Sequence, residues 1–287
     1  MPTPEEITIQ IPALTLAARV WGPADGVPML ALHGWLDNAA SFDGIAPLLP
    51  GVRLCCLDMP GHGRSDHVPP GVLYGFVDTV ARVFEVTRAL GWERFSLMGH
   101  SLGAAVASVL AGTFVRHVER LVLIEGLGPM TEQPAQVAQR LARSIDDEHR
   151  RRGRAGPVYA RREDAVARLC EAVQGLAEHS AQILVARGLV EVDGGFTWRA
   201  DPQLRVASRQ RLTEAQVLTF LRAIEAPTLV IRGSGGYPFA PDPMGARVAA
   251  LRDAKVVELP GGHHLHLDTP EPVAGAIAEF LRATSGG

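Results

Sequence analysis

Three groups of residues in this chain could carry covalent chemistry: a serine set between two glycines, a cluster of histidines, and a carboxylate inside an apolar stretch. The serine is Ser101, in Gly99-His-Ser-Leu-Gly103. G-x-S-x-G has mechanical meaning where a strand enters it and a helix leaves it, because the sharp turn lifts the serine Oγ above the sheet edge. Both flanks fit, with the apolar run Phe95–Met98 before it and a helical pattern from Leu102 after it. Glycines two residues before and two after the serine let neighbouring backbone pack without Cβ clashes. The start of the following helix aims N–H groups at a reacting oxygen. The chemistry such a turn allows is attack on an acyl carbon, provided a base lies within reach.

Among the ten histidines, the informative segment is Pro260-Gly-Gly-His-His-Leu-His266, which follows the predicted strand Lys255–Leu259. A loop leaving the carboxyl end of a strand lies at the functional edge of an open α/β sheet. His263, directly after the glycine pair, is the preferred base, and His264 is its competitor. His266 reads as a packed, hydrogen-bonded residue, and His62 as a loop anchor. The three loop histidines lack an obvious further ligand, so no metal is expected.

Two positions could supply the acid that orients the base. After the predicted strand Thr228–Ile231 come Gly233-Ser-Gly-Gly236, with no carboxylate until Asp242. Glu125 instead directly follows the predicted strand Leu121–Ile124 and interrupts an apolar run, so burial and a partner are expected for it. Glu125 is preferred and Asp242 is the alternative. For the oxyanion, the expected donors are the backbone N–H groups of Leu102 and Trp35, the latter in the loop His33-Gly-Trp-Leu-Asp-Asn38.

These residues need a frame. Near-continuous apolar runs at 28–32, 52–57, 95–98, 121–124, 228–231 and 255–259 predict strands buried on both faces of a parallel sheet, and Ile7–Ile11 and Leu14–Trp21 predict two earlier strands. Helical patterns over 76–90, 102–111, 244–251 and 272–283 supply the crossovers. Between about Met130 and Ala226 the rhythm breaks into Arg- and Ala-rich helical sequence, interrupted by a hairpin at Glu191–Trp198 with Asp193-Gly194 at its turn. The chain therefore divides into a core, residues 1–130 and 226–287, and a mainly helical insertion, residues 131–225. The arginines at 150–152 and Arg154 stand beside Asp146, Asp147 and Glu148, so they read as a solvated helix face.

The 287 residues, 47% apolar and 21% charged, are enough for one large domain with an insertion and exclude a disordered chain. A net charge of -3 leaves no electrostatic footprint for nucleic acid. No apolar run reaches the length of a membrane span. The first residues lack a signal-peptide pattern, and three cysteines, two of them adjacent, make a poor disulfide framework. A cytoplasmic protein is expected; the oligomeric state is not legible.

The segments 32–38, 58–65, 99–103 and 262–271 (LHGWLDN, DMPGHGRS, GHSLG and GHHLHLDTPE) resemble the α/β-hydrolase superfamily in content and order, and Leu32–Phe42 is most similar to its serine hydrolase-like branch. The resemblance implies an α/β-hydrolase fold: a mostly parallel eight-stranded sheet, helices on both faces, and a helical cap inserted after strand six. It also implies Ser101 as nucleophile and His263 as base. The chain departs from the common pattern in lacking an acid after strand seven; some members carry it after strand six, where Glu125 stands. Ser101 argues against the family's aspartate-nucleophile activities. The expected function is a cofactor-independent serine hydrolase of a small-molecule carboxylic ester, or a thioester, with a largely apolar acyl or alcohol part. Carbon–carbon bond hydrolysis of a diketone and a non-catalytic ligand receptor are the alternatives.

Overall fold

The structure is a computed structural model describing residues 3–236 and 241–284, with side chains in the second stretch described from Met244. In chain order the elements are β1 (Glu5–Ile11), β2 (Leu14–Trp21), β3 (Val27–Leu32), β4 (Val52–Leu57), α1 (Phe76–Ala89), β5 (Phe95–His100), α2 (Leu102–Thr113) and β6 (Val118–Ile124). Then come α3 (Val137–Arg151), β7 (Val158–Tyr159), α4 (Arg162–Ala172), α5 (Glu178–Gly188), β8 (Leu189–Val192), β9 (Gly195–Trp198) and α6 (Glu214–Ala223). The chain finishes with β10 (Thr228–Gly233), α7 (Pro241–Ala250), β11 (Ala254–Leu259), α8 (Leu265–Asp268) and α9 (Pro270–Ala283).

Eight strands form one sheet in the order β1-β2-β4-β3-β5-β6-β10-β11. Only the β1–β2 and β2–β4 pairings are antiparallel; the rest of the sheet is parallel. This is an α/β-hydrolase sheet. The two-residue side-chain period sends Leu30, Leu32, Cys55 and Leu97 into a core shared with α1, α2 and α6, and Met29, Ala31, Cys56 and Met98 into a core shared with α9. The adjacent cysteines thus point to opposite faces, and both are free thiols.

One expectation fails here. β11 was expected to be buried on both faces, but it is the sheet's edge strand and alternates between half-buried and exposed, with Val256 44% exposed. Ala254 packs partly against one core and Val257 and Leu259 partly against the other, while Val256 and Glu258 stay exposed at the edge of the sheet.

Between β6 and β10, β7, β9 and β8 form a small antiparallel sheet, in which Val192 pairs Gly195 across the tight turn at Asp193-Gly194. Here α4, α5 and the small sheet bury a cluster that includes Ala165, Val166, Leu184 and Leu189. Buried polar bonds fasten this part to loops of the large sheet. Arg187 Nε donates to both Asp58 carboxylate oxygens at 3.1 and 2.9 Å, Ser180 Oγ donates to Asp268 at 2.6 Å, and Asn38 donates to the Leu184 carbonyl at 2.9 Å. At the C-terminal end of α3, Arg150 and Arg151 pair with Asp147, and Arg152 with Glu148.

Candidate active site

Ser101 stands between β5 and α2 with φ +52° and ψ −112°, a backbone conformation that costs a non-glycine residue ~1–3 kcal/mol. The flanking glycines make the turn possible through close approach. A Cβ on Gly99 would lie 2.4 Å from the backbone of Gly103, and one on Gly103 would lie 1.9 Å from the Leu32 carbonyl oxygen. Neither position can hold a side chain while α2 runs against β5 and β3. The turn is tied to the neighbouring strand by Ser101 N–H, which donates to the Ile124 carbonyl at 3.0 Å.

Glu125 begins where β6 ends, also with a positive φ of +52°, and is 1% exposed. Its Oε1 accepts the Gly233 N–H at 2.7 Å, and its Oε2 lies 3.1 Å from His263 Nδ1. A carboxylate only accepts, so Nδ1 carries a proton and donates it to Oε2. The glycine-rich loop after β10 makes room for this carboxylate: a Cβ on Gly236 would stand 2.3 Å from Oε2. Asp242, the alternative acid, has its side chain outside the described residues. His263 follows β11 and is half-buried, and its carbonyl accepts the Nε2–H of His100 at 2.8 Å.

The loop after β3 turns sharply, closed by Asp37 N–H donating to the Gly34 carbonyl at 3.2 Å, with Leu36 at φ +66°. Trp35 is 52% exposed, and its indole N–H donates to the Leu204 carbonyl at 3.1 Å. Leu102 is the first residue of α2, where a backbone N–H has no acceptor within the helix.

Beneath His263 lies a second buried group. His264 Nε2 is 3.3 Å from Asp37 Oδ2, and His100 Nδ1 is 3.6 Å from the same oxygen. Burial lowers the pKa of His264, but the charge and hydrogen bond of Asp37 outweigh it and raise it on balance. Burial works to raise the Asp37 pKa; the charge on His264 overcomes it and holds the carboxyl well below its usual range. Burial brings His100 down to about 4. His266, fully buried with Nε2 2.8 Å from Ser41 Oγ, is likewise pushed down by burial.

Comparisons with known proteins decide the family. Residues 27–170 match the profile described as the alpha/beta hydrolase fold. A serine hydrolase-like protein of Danio rerio is 35% identical over 98% of this chain and 89% of its own length, and a probable serine hydrolase of Drosophila melanogaster is 35% identical over 97% and 88%. This chain belongs to the α/β-hydrolase family, in its serine hydrolase-like branch. Among solved structures, a hypothetical protein of Pseudomonas aeruginosa PAO1 superposes on this hydrolase with TM-score 0.91 at 43% identity, covering 97% of this chain and 98% of that one. A thioesterase domain from the curacin biosynthetic pathway matches with TM-score 0.86 at 26% identity, over 96% and 99%.

Of the residues singled out from sequence, the fold of this hydrolase brings Glu125 and His263 into hydrogen-bonding contact, with Ser101 on the adjoining turn. It seats His264 against Asp37 and buries His62, whose ring Nδ1 donates to its own loop at the Pro60 carbonyl, 3.1 Å away. Asp37, His100 and Arg187 were missed. His100 and Asp37 both lie inside recognisable motifs, but in positions that motif logic leaves open, and Arg187 meets Asp58 across 129 residues. A groove of about 600 Å³ between α4 and α5, lined by Val166, Cys170, Leu176 and Val185 among others, includes none of Ser101, Glu125 or His263.

Proposed function

We propose that this α/β-hydrolase cleaves carboxylic esters or thioesters through an acyl-enzyme, with Ser101 as nucleophile, His263 as base and Glu125 as the orienting acid. The observation that carries this reading is the 3.1 Å contact of Glu125 Oε2 with His263 Nδ1, made at the same sheet edge as the strained Ser101 turn. In the mechanism, His263 Nε2 takes the Ser101 hydroxyl proton as Oγ attacks the carbonyl carbon. The proton then passes from His263 to the departing alcohol or thiol, and water releases the acyl group by the same route in reverse. Glu125 holds the Nδ1–H tautomer and stabilises the imidazolium. The N–H groups of Leu102 and Trp35 receive the oxyanion; one such donor is worth ~10²–10³ in rate. No step calls for a cofactor. Residues 131–225 act as a cap, a role supported by their bonds to the loops at Trp35, Asn38, Asp58 and Asp268. The thioester arm is favoured by the likeness to the curacin thioesterase domain.

The test is hydrolysis of p-nitrophenyl esters from acetate to palmitate, with an acyl thioester series alongside, by wild type and Ser101→Ala. A serine-dependent rate with a chain-length optimum is expected. Undiminished hydrolysis by folded Ser101→Ala would overturn the assignment. Failure of wild type to turn over any substrate or react with a fluorophosphonate would do the same.

A further inference from the structure

Asp37 in the loop after β3, His100 at the end of β5 and His264 after β11 are far apart in the chain, yet their Oδ2, Nδ1 and Nε2 atoms lie within 4.8 Å of one another. Two of the three separations are 3.3 and 3.6 Å. Ligands bound tetrahedrally at ~2.0–2.2 Å stand ~3.3–3.6 Å apart, so these two edges already have metal-site dimensions. We propose that Asp37, His100 and His264 form a binding site for a borderline divalent transition metal such as Zn²⁺, with a water molecule as fourth ligand.

Three observations converge on the gap between these atoms. The first is His100 itself, which is fully buried and whose Nδ1 has no hydrogen-bond partner. A carbonyl can only accept, so the 2.8 Å bond to the His263 carbonyl puts the ring proton on Nε2 and leaves Nδ1 a bare lone pair. An unsatisfied buried acceptor of this kind calls for an explanation. The second is that metal-bound histidines commonly donate their other ring N–H to a backbone carbonyl, which fixes tautomer and ring orientation. His100 does so. The third is Gly34. A Cβ there would stand 2.8 Å from Asp37 Oδ2 and 2.9 Å from His100 Nδ1, so its absence keeps open the space where an ion would sit.

The donor set of two imidazoles and one carboxylate suits Zn²⁺, and an open fourth position is usual for such sets. Asp37 is two residues after Trp35, His100 immediately precedes Ser101, and His264 immediately follows His263. An ion held by all three ties together the loops carrying the proposed oxyanion donor, nucleophile and base. Binding itself does not depend on the catalytic reading, and its test needs no turnover.

The test is titration of chelator-treated protein with Co²⁺, read by the visible absorption of four-coordinate Co²⁺, and with Zn²⁺ on nitrogen-15-labelled protein. Expected are one equivalent of Co²⁺ with a four-coordinate spectrum and Zn²⁺-dependent shifts of the His100 and His264 ring nitrogens. His264→Gln and Gly34→Ala should each weaken Co²⁺ binding by at least ~10-fold, the least that even outer-shell losses produce. Replacement of the exposed His149 by Gln should leave it unchanged. Absence of the spectrum and of the ring shifts in wild type, which needs no variant to fold, would mean that water fills the gap and the proposal fails. Undiminished binding in both variants would place the ion elsewhere and equally overturn it.

Discussion

The carboxylate of Glu125 occupies the space that a side chain at Gly236 would need, with an ideal Cβ on Gly236 2.3 Å from Oε2 and 2.4 Å from Oε1. Glu125 and the loop that accommodates it follow neighbouring strands, β6 and β10, and Gly233 N–H completes the cradle. Gly236→Ala should therefore displace the carboxylate from His263. Misplacement by about an ångström typically costs ~10² in rate. A fall of about that size in kcat is expected, with little change in urea midpoint. Unaltered kcat in the folded variant would contradict the cradle.

Glu125→Gln keeps the shape of the acid but can offer an amide N–H to His263 Nδ1, which favours the wrong tautomer. The expected loss in kcat is as much as ~10⁴. Asp242→Asn should leave kcat near wild type. If the two variants exchanged these outcomes, the acid would have been misassigned.

Strain at Ser101 should be recoverable as stability. Glycine accepts φ +52° without a Cβ penalty, so Ser101→Gly should be about 1 kcal/mol more stable than Ser101→Ala while both lack activity. Equal urea midpoints for the two would argue that the turn is relaxed.

Arg187 is 4% exposed and serves the fully buried Asp58. Removing one partner of a buried ion pair typically costs ~3–5 kcal/mol, because the other charge stays buried. Arg187→Ala should lose stability on that scale in chemical denaturation. A loss below about 1 kcal/mol, the scale of an exposed ion pair, would show that the pair is effectively solvated.

Acid should destabilise the fold through its neutral histidines. Burial holds His62 near about 3 and His100 near about 4, and it lowers His33 and His266 as well. In the unfolded chain each takes up a proton near ~6.5, so below that pH the unfolded state binds more protons and stability falls with pH. His264 works in the opposite sense: its pKa is raised by Asp37 against burial, so its contribution is present below about 6.5 and is lost as pH rises through the folded value. Below about pH 6.5 His264 is protonated in both states and adds no slope, so acidification toward about pH 4 costs up to ~1.4 kcal/mol per pH unit for each histidine that the fold keeps neutral. The urea midpoint should drop between about pH 7 and about pH 5; an unchanged midpoint would refute this.

Legibility in the sequence followed the range of the interaction. The Ser101 turn is local, with strand, glycines and helix start all lying within a dozen residues, so sequence pattern alone placed it. The burial of Glu125 against a partner was legible because a carboxylate interrupting an apolar run needs one. The reciprocal meaning of Gly236 was not, since that loop read only as one without an acid. Asp37, His100 and His264 lie at the ends of different strands or in the loops after them and meet only when strand order is known. β11 was misread for the same reason, because an apolar run does not say whether another strand pairs beyond it.

Ser101 and Glu125 end two hydrogen-bonded neighbours at the centre of the sheet, whereas His263 hangs from the edge strand, two places further out. The proposed nucleophile and acid therefore share the stability of the sheet interior, and the proposed base shares that of its rim. Local opening free energies are lowest where few buried contacts hold the chain. On heating, His263 should leave its place before the fold is lost, and inactivation should set in below the temperature at which the sheet melts.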